Sequence, residues 1–323
     1  MAPVLLAAPD KLRGTLTAPE AAAAIAAGAE RAGWNSVELP LADGGEGTLD
    51  ALGGGNRSTT VTGPLGRPVA AEWRLAGGVA VVEAAQACGL ELAGGAAGND
   101  PLRATSRGVG ELVAAALEAG AGRVVVAVGG VASTDGGAGA LEVLRPLAPL
   151  AALEVACDVE ARFVEAATTF APQKGAAPAQ VELLRARLEE LAARYGPDVA
   201  ELPGSGAAGG LAGGLAALGG RLRPGFELVA EAVGLDGRLA GVDLAVTAEG
   251  LVDATSFSGK VVGGVLERAR RAGVAALVVA GELAAPVPPP ARGVSLVERY
   301  GRERALAEPA ACLAETVAAT ING

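Results

Sequence analysis

The chain has 323 residues and a formal net charge of −10, so two domains with a sizeable core are expected. General binding to nucleic acid or to an anionic membrane, which needs a basic face, is excluded. Hydrophobic residues reach 51% while aromatics are only 2%, and histidine is absent; the core must be aliphatic, and imidazole chemistry and His-ligated metals drop out.

Val4–Ala8 reads as a buried strand running into Pro9-Asp10-Lys11. Thr17-Ala-Pro-Glu20 has the form of a helix start, with Thr as cap and Glu at the capping-box position. The Ala-rich helix that follows is expected to stop at Gly33. A second strand over Ser36–Leu41 ends at Ala42-Asp43-Gly44-Gly45-Glu46, which makes a βαβ unit with parallel strands.

Thr59–Gly63, Val69–Leu75 and Val79–Glu83 are three closely spaced strands, which predicts antiparallel or mixed pairing. A helix near Arg107–Ala119 precedes a strand at Val124–Val128, which opens into Gly129-Gly130 and Ser133-Thr134-Asp135-Gly136-Gly137. Leu153–Ala156 is another strand. Val181, Leu184, Leu188 and Leu191 share one face of a helix. Alternation returns with a strand at Asp243–Thr247, a helix near Gly259–Ala272, a strand at Ala275–Ala280 and a closing helix from about Pro309. The expected fold class is α/β. Residues 1–60 and 225–323 form a doubly wound, mostly parallel Rossmann-like domain, and residues 61–224 an inserted α/β domain with a mixed sheet.

Cys88, Cys157 and Cys312 lie far apart with no CxxC pair, as in reduced cytosolic proteins. The start of the chain lacks a basic n-region, and the longest uncharged stretch, Gly204–Gly220, is too short and Gly-rich to span a bilayer. A cytoplasmic protein without a membrane segment is expected. Among 26 basic residues only Lys11, Lys174 and Lys260 are lysines. A composition drifting from Lys to Arg keeps Lys where a compact ammonium is needed, or by chance.

The pattern D-G-G-x-G-x-L-x-x-L occurs twice, from Asp43 and from Asp135, each time after an apolar strand and before a helical pattern. Gly44, Gly45, Gly136 and Gly137 would let backbone N–H groups approach phosphate at a strand's carboxyl end, leaving the Asp for Mg2+ or a substrate hydroxyl. Turn and cap chemistry is the competing reading. Glu249, Asp253 and Lys260, just past a strand, suit Mg2+ and phosphate; a solvated loop would look the same. There is no G-x4-G-K-[ST] loop. Gly204–Gly209 matches G-x-G-x-x-G, but it follows Glu201-Leu-Pro rather than a strand, so an NAD-linked enzyme ranks last.

The ordered blocks APDKLRGTLTAPEAA, LADGGEGT, TSRGVGELV, GGVASTDGGAGAL, ACDVEARF, FAPQKGA, GSGAAGGL and AEGLVDATSFSGK resemble the bacterial glycerate kinase family of the glycerate 2-kinase type through nearly the whole chain. The resemblance implies two α/β domains flanking a cleft, ATP with Mg2+ as donor, glycerate as acceptor and phosphoglycerate as product, the 2-phospho isomer favoured. It points to Asp43, Glu46, Asp135, Lys174, Glu249 and Asp253 as cleft residues. In the mechanism it suggests, Asp135 takes the proton of the attacking hydroxyl, and Asp43 with Glu46 or Glu249 holds Mg2+. Lys11, Arg13 and Lys174 neutralise phosphate and carboxylate. A base at 135 predicts that Asp135→Asn loses turnover but keeps nucleotide binding.

Four positions depart from the family pattern: Arg13 for Lys, Thr134 for Asn, Ala248 for Gly and Leu251 for an anion-holding Arg. Arg103 or Arg107 are the candidates to replace that last charge. The alternative function is a weak or inactive relative that binds a nucleotide or another hydroxy acid. Monomer and homodimer are both open.

Overall fold

The computed structural model describes residues 2–12, 14–150 and 152–321. The chain divides into two compact units: unit 1 comprises Met1–Asp43, Asp50–Gly53 and Phe226–Gly323, and unit 2 comprises Gly44–Leu49 and Gly54–Gly225. With strands numbered along the chain, unit 1 holds β1 (Val4–Ala7), β2 (Asn35–Glu38), β9 (Leu244–Val252), β10 (Ala275–Leu283) and β11 (Arg292–Ser295). Unit 2 holds β3 (Arg57–Thr62), β4 (Pro68–Ala76), β5 (Val79–Glu83), β6 (Arg123–Ala127), β7 (Leu153–Cys157) and β8 (Arg221–Pro224).

In unit 1 the sheet order is β11-β10-β9-β1-β2 and every pairing is parallel. Strand residues alternate between two apolar layers, as a sheet covered on both faces requires. Leu5, Ala7, Val246 and Val279 pack with helices Ala18–Arg31 and Pro309–Ile321. Leu6, Ala8 and Ala245 pack with Phe226, Val229, Val261 and Val265 on the opposite side. Thr17 and Glu20 form the expected reciprocal cap at the start of the first helix. Asp43 follows β2, while β9 runs on to Val252, pairing Glu249 with Ala280 and Leu251 with Glu282. Glu249 is therefore a strand residue rather than a loop residue.

In unit 2 the order is β3-β4-β5-β6-β7-β8. β3, β4 and β5 pair antiparallel and β5 to β8 parallel, giving the expected mixed sheet. Its core joins Val82, Val124, Val126 and Val155 to Leu112 of the Arg107–Glu118 helix, Leu141 of Ala138–Leu144 and Leu211 of Leu211–Ala217. A satellite cluster gathers Phe163 with Val181, Leu184 and Leu188 from the Pro178–Tyr195 helix. Among the described residues no helix is long and apolar enough to cross a membrane.

Candidate functional site

In unit 1, acidic side chains gather beyond the carboxyl ends of the parallel strands, where open α/β sheets bind ligands. Asp10 follows β1 by three residues, and its backbone N–H bonds Ala248 O of β9 at 2.9 Å. Its carboxylate accepts the Lys11 N–H at 2.7 Å and is only 8% exposed. Burial, then the charge of Asp43, then that of Glu249 push the Asp10 carboxyl up to about 7, against the pull of the Lys11 N–H and ammonium.

Glu249 is pushed upward too, first by burial, with Asp43 and Asp253 adding to it; the Ser256 hydroxyl and Lys260 oppose the shift. One Glu249 oxygen, Oε2, is buried without a hydrogen-bond partner. Lys260 caps the Val261–Ala272 helix by position and makes no side-chain cap bond. Asp253 serves the turn it begins: Oδ1 accepts from Thr255 N at 2.8 Å and Thr255 Oγ1 at 2.6 Å. Asp10, missed by sequence reasoning, thus joins Lys11, Asp43, Glu249 and Lys260. Its position one residue before a surviving lysine was the available signal.

Among the described residues no three acidic or thiol side chains converge as a complete metal cage. Magnesium needs less, because it keeps waters and phosphate oxygens and takes only one or two carboxylates. Mutually repelling Asp10 and Asp43, and an orphaned oxygen on Glu249, suit a divalent cation. Glu46, the other residue expected to hold metal, belongs to unit 2.

In unit 2 the two Asp-Gly-Gly repeats meet different neighbours. A Cβ on Gly44 would lie 2.6 Å from Gly225 Cα, and one on Gly129 would lie 2.7 Å from Gly45 Cα. The first repeat's glycines therefore pack bare backbone against other backbone at the ends of β6 and β8. The second repeat turns at Gly136 and Gly137, with φ of 64° and 76°. A Cβ on Gly136 would meet Leu191 Cδ1 at 2.7 Å, Phe163 Cζ at 2.9 Å and Leu188 Cδ2 at 3.0 Å.

At the second repeat the glycine amides and the Asp135 carboxylate have partners within unit 2. Gly136 N–H donates to Gly209 O at 3.0 Å and Gly137 N–H to Asp135 Oδ1 at 3.1 Å, so neither amide is left to cradle a phosphate. The Asp135 carboxylate, expected to take a proton, also accepts Ser106 N–H at 2.8 Å, Ser106 O–H at 2.9 Å and Gly139 N–H at 3.2 Å. Four donors match the capacity of a carboxylate, so Asp135 pins the turn and the start of the Ala138–Leu144 helix. Ser106 was not foreseen as a site residue, although it lies in the TSRGVGELV block.

Lys174 lies in the same unit, 4% exposed, its Nζ donating to Ser133 O at 2.6 Å. Arg107, a candidate replacement cation, is engaged by Glu111 and Glu142 at 3.0 Å each. Arg13 lies outside the described residues. Leu251 is 51% exposed, opposite Glu282, which pairs with Arg302. The Gly204–Gly210 segment leads into the Leu211–Ala217 helix and packs on Ser133 and Thr134 through Gly209.

Comparison with known proteins adds an independent finding. The model of the glycerate kinase family matches residues 5–148 and 144–321. An uncharacterised protein of Mycobacterium tuberculosis (strain CDC 1551 / Oshkosh) is 44% identical, covering 86% of this chain and 79% of its own. Glycerate 2-kinase of Escherichia coli (strain K12) is 36% identical over 86% of this chain and 85% of its own. A crystal structure described as a glycerate kinase 2 of Salmonella typhimurium LT2 superposes with a TM-score of 0.83 at 34% identity, over 99% of this chain and 97% of that one.

Proposed function

Because the chain belongs to the glycerate kinase family, we propose that it transfers the γ-phosphoryl group of ATP to D-glycerate with Mg2+, giving 2-phosphoglycerate as the favoured product. The observation that carries the reading is the acidic group of unit 1, Asp10 with Asp43 and Glu249, next to Lys11 and Lys260 at the ends of parallel strands. Phosphoryl transfer asks for positioning and charge neutralisation more than for covalent help. Asp43 and Glu249 would hold Mg2+, which would supply positive charge to offset that of the phosphate. Lys11 and Lys260 neutralise anionic oxygens. Asp135 keeps the Gly-rich turn of unit 2 in shape.

ADP release coupled to a reporter, measured with D-glycerate and a panel of other hydroxy acids, tests the reading. Glycerate-dependent and Mg2+-dependent turnover is expected, and phosphorus NMR of the product identifies the isomer. Nucleotide binding without turnover on any acid would sink it and favour the inactive relative.

Leu251 is the one observation on the side of weak activity, since an exposed leucine stands where an anion-holding cation was expected. Leu251→Arg should lower the KM for glycerate by roughly 3–10-fold, the scale of one charge-assisted contact at a partly exposed site. An unchanged KM would place position 251 away from the acceptor.

A further inference from the structure

The turn Pro172–Lys174 is tied to the loop that leaves β6 at several points. Asn99 Nδ2 donates to Ala132 O at 3.2 Å and to Lys174 O at 2.9 Å, bridging the two segments. A Cβ on Gly175 (φ 93°) would come within 2.2 Å of Ala96 O, so the turn has no room to slide. The remaining tie is charged: the Lys174 ammonium on Ser133 O. Two residues on, Asp135 holds Ser106, Gly137 and Gly139.

We infer that Lys174 is a positioning residue, whose ammonium fixes the Ser133–Asp135 backbone and so the Gly-rich turn, and that it is not itself a phosphate ligand. Burial pushes Lys174 down to about 8, with Cys88 and Asp135 pulling it back up. Cys88, from the Ala84–Cys88 helix, and Asp135, from the loop, are the titratable groups acting on it. Cys88 is itself pushed up to about 12 by burial and by Asp135, and Tyr195, beyond Asp135, also to about 12. Near pH 8 the lysine is therefore the group of this set that changes charge; an opened loop would let it keep its proton, so closure gains as pH rises from about 8 toward the ordinary lysine value.

The kinetic and ADP-binding arms rest on the glycerate kinase reading; the exchange arm does not. In Lys174→Met, amide exchange of residues 133–140 should quicken by about 10-fold or more, as expected for a loop that has lost a tie. The dissociation constant for ADP should stay within about 3-fold, while kcat falls about 100-fold, the scale of a roughly 1 Å misplacement. Lys174→Arg, which keeps a charged donor, should recover much of both losses. The inference is overturned if ADP binding weakens about 30-fold or more with exchange unchanged, the signature of a lost phosphate contact.

Should the Met variant not fold, the wild-type protein decides. Competitive acetylation of its three lysines should label Lys174 slowest, and exchange of residues 133–140 should rise above pH 8 less steeply than simple base catalysis, because opening takes up a proton. A Lys174 labelled as readily as Lys11 and Lys260 contradicts the assignment. Wild-type protein with no turnover on glycerate would count against the proposed function, leaving the exchange and acetylation results to judge Lys174.

Discussion

Asp10→Asn is expected to stabilise the protein at pH 8 by as much as about 4 kcal/mol while lowering turnover, a gain and a loss from one buried charge. The folded carboxyl titrates at about 7 against 3.8 for the ordinary group. Between those values the folded chain holds a proton that the unfolded chain gives up. The stability tied to that proton is full below about pH 4 and lost as pH rises to 7 and beyond. Asn has no charge to bury, so the variant's advantage should widen from pH 5 to pH 8 in urea unfolding without metal. A gap that stays flat with pH means Asp10 titrates normally. Added Mg2+ should raise the wild-type melting temperature at pH 8 more than that of the variant, because a cation relieves repulsion that Asn no longer creates.

Asp135→Ala should cost about 4 kcal/mol, with Asp135→Asn losing about half as much, because the carboxylate satisfies four buried donors. A domain stable by about 5–15 kcal/mol would show this as a large drop in unfolding midpoint. Turnover should fall with it. A pure proton acceptor behaves differently: Asn there would silence the reaction while leaving the midpoint in place. Urea unfolding of the three proteins separates the two roles.

Features fixed by neighbours along the chain were legible. Thr17 and Glu20 cap one helix across a single turn, and the close spacing of β3, β4 and β5 announced a mixed sheet. What escaped depends on distant partners. β8, with Arg at both ends of Arg221-Leu222-Arg223 and a proline to close, has strand character only because β7 pairs with it. β9 was expected to stop at Thr247, since Glu249 and Gly250 interrupt the apolar run; β10 carries it on by pairing through Leu283.

The site divided the same way. The residue types and strand-end positions of Asp43, Glu249 and Lys260 could be read from the sequence. The charge state of Asp10 could not, because it follows from Asp43 and Glu249 arriving from remote segments. Nor could the duty of Asp135, because an open carboxylate and one enclosed by Ser106 and two glycine amides are written alike.

Where Gly45 meets Gly129 and Gly214 meets Gly137, main chain touches main chain with no side chain between. Such contacts have no rotamers to adjust, so neighbouring residues cannot compensate for an added methyl group. Laboratory evolution toward other acceptors would find these glycines closed to change. It would have to work through exposed positions such as Leu251, where one residue can be exchanged without moving the scaffold beneath it.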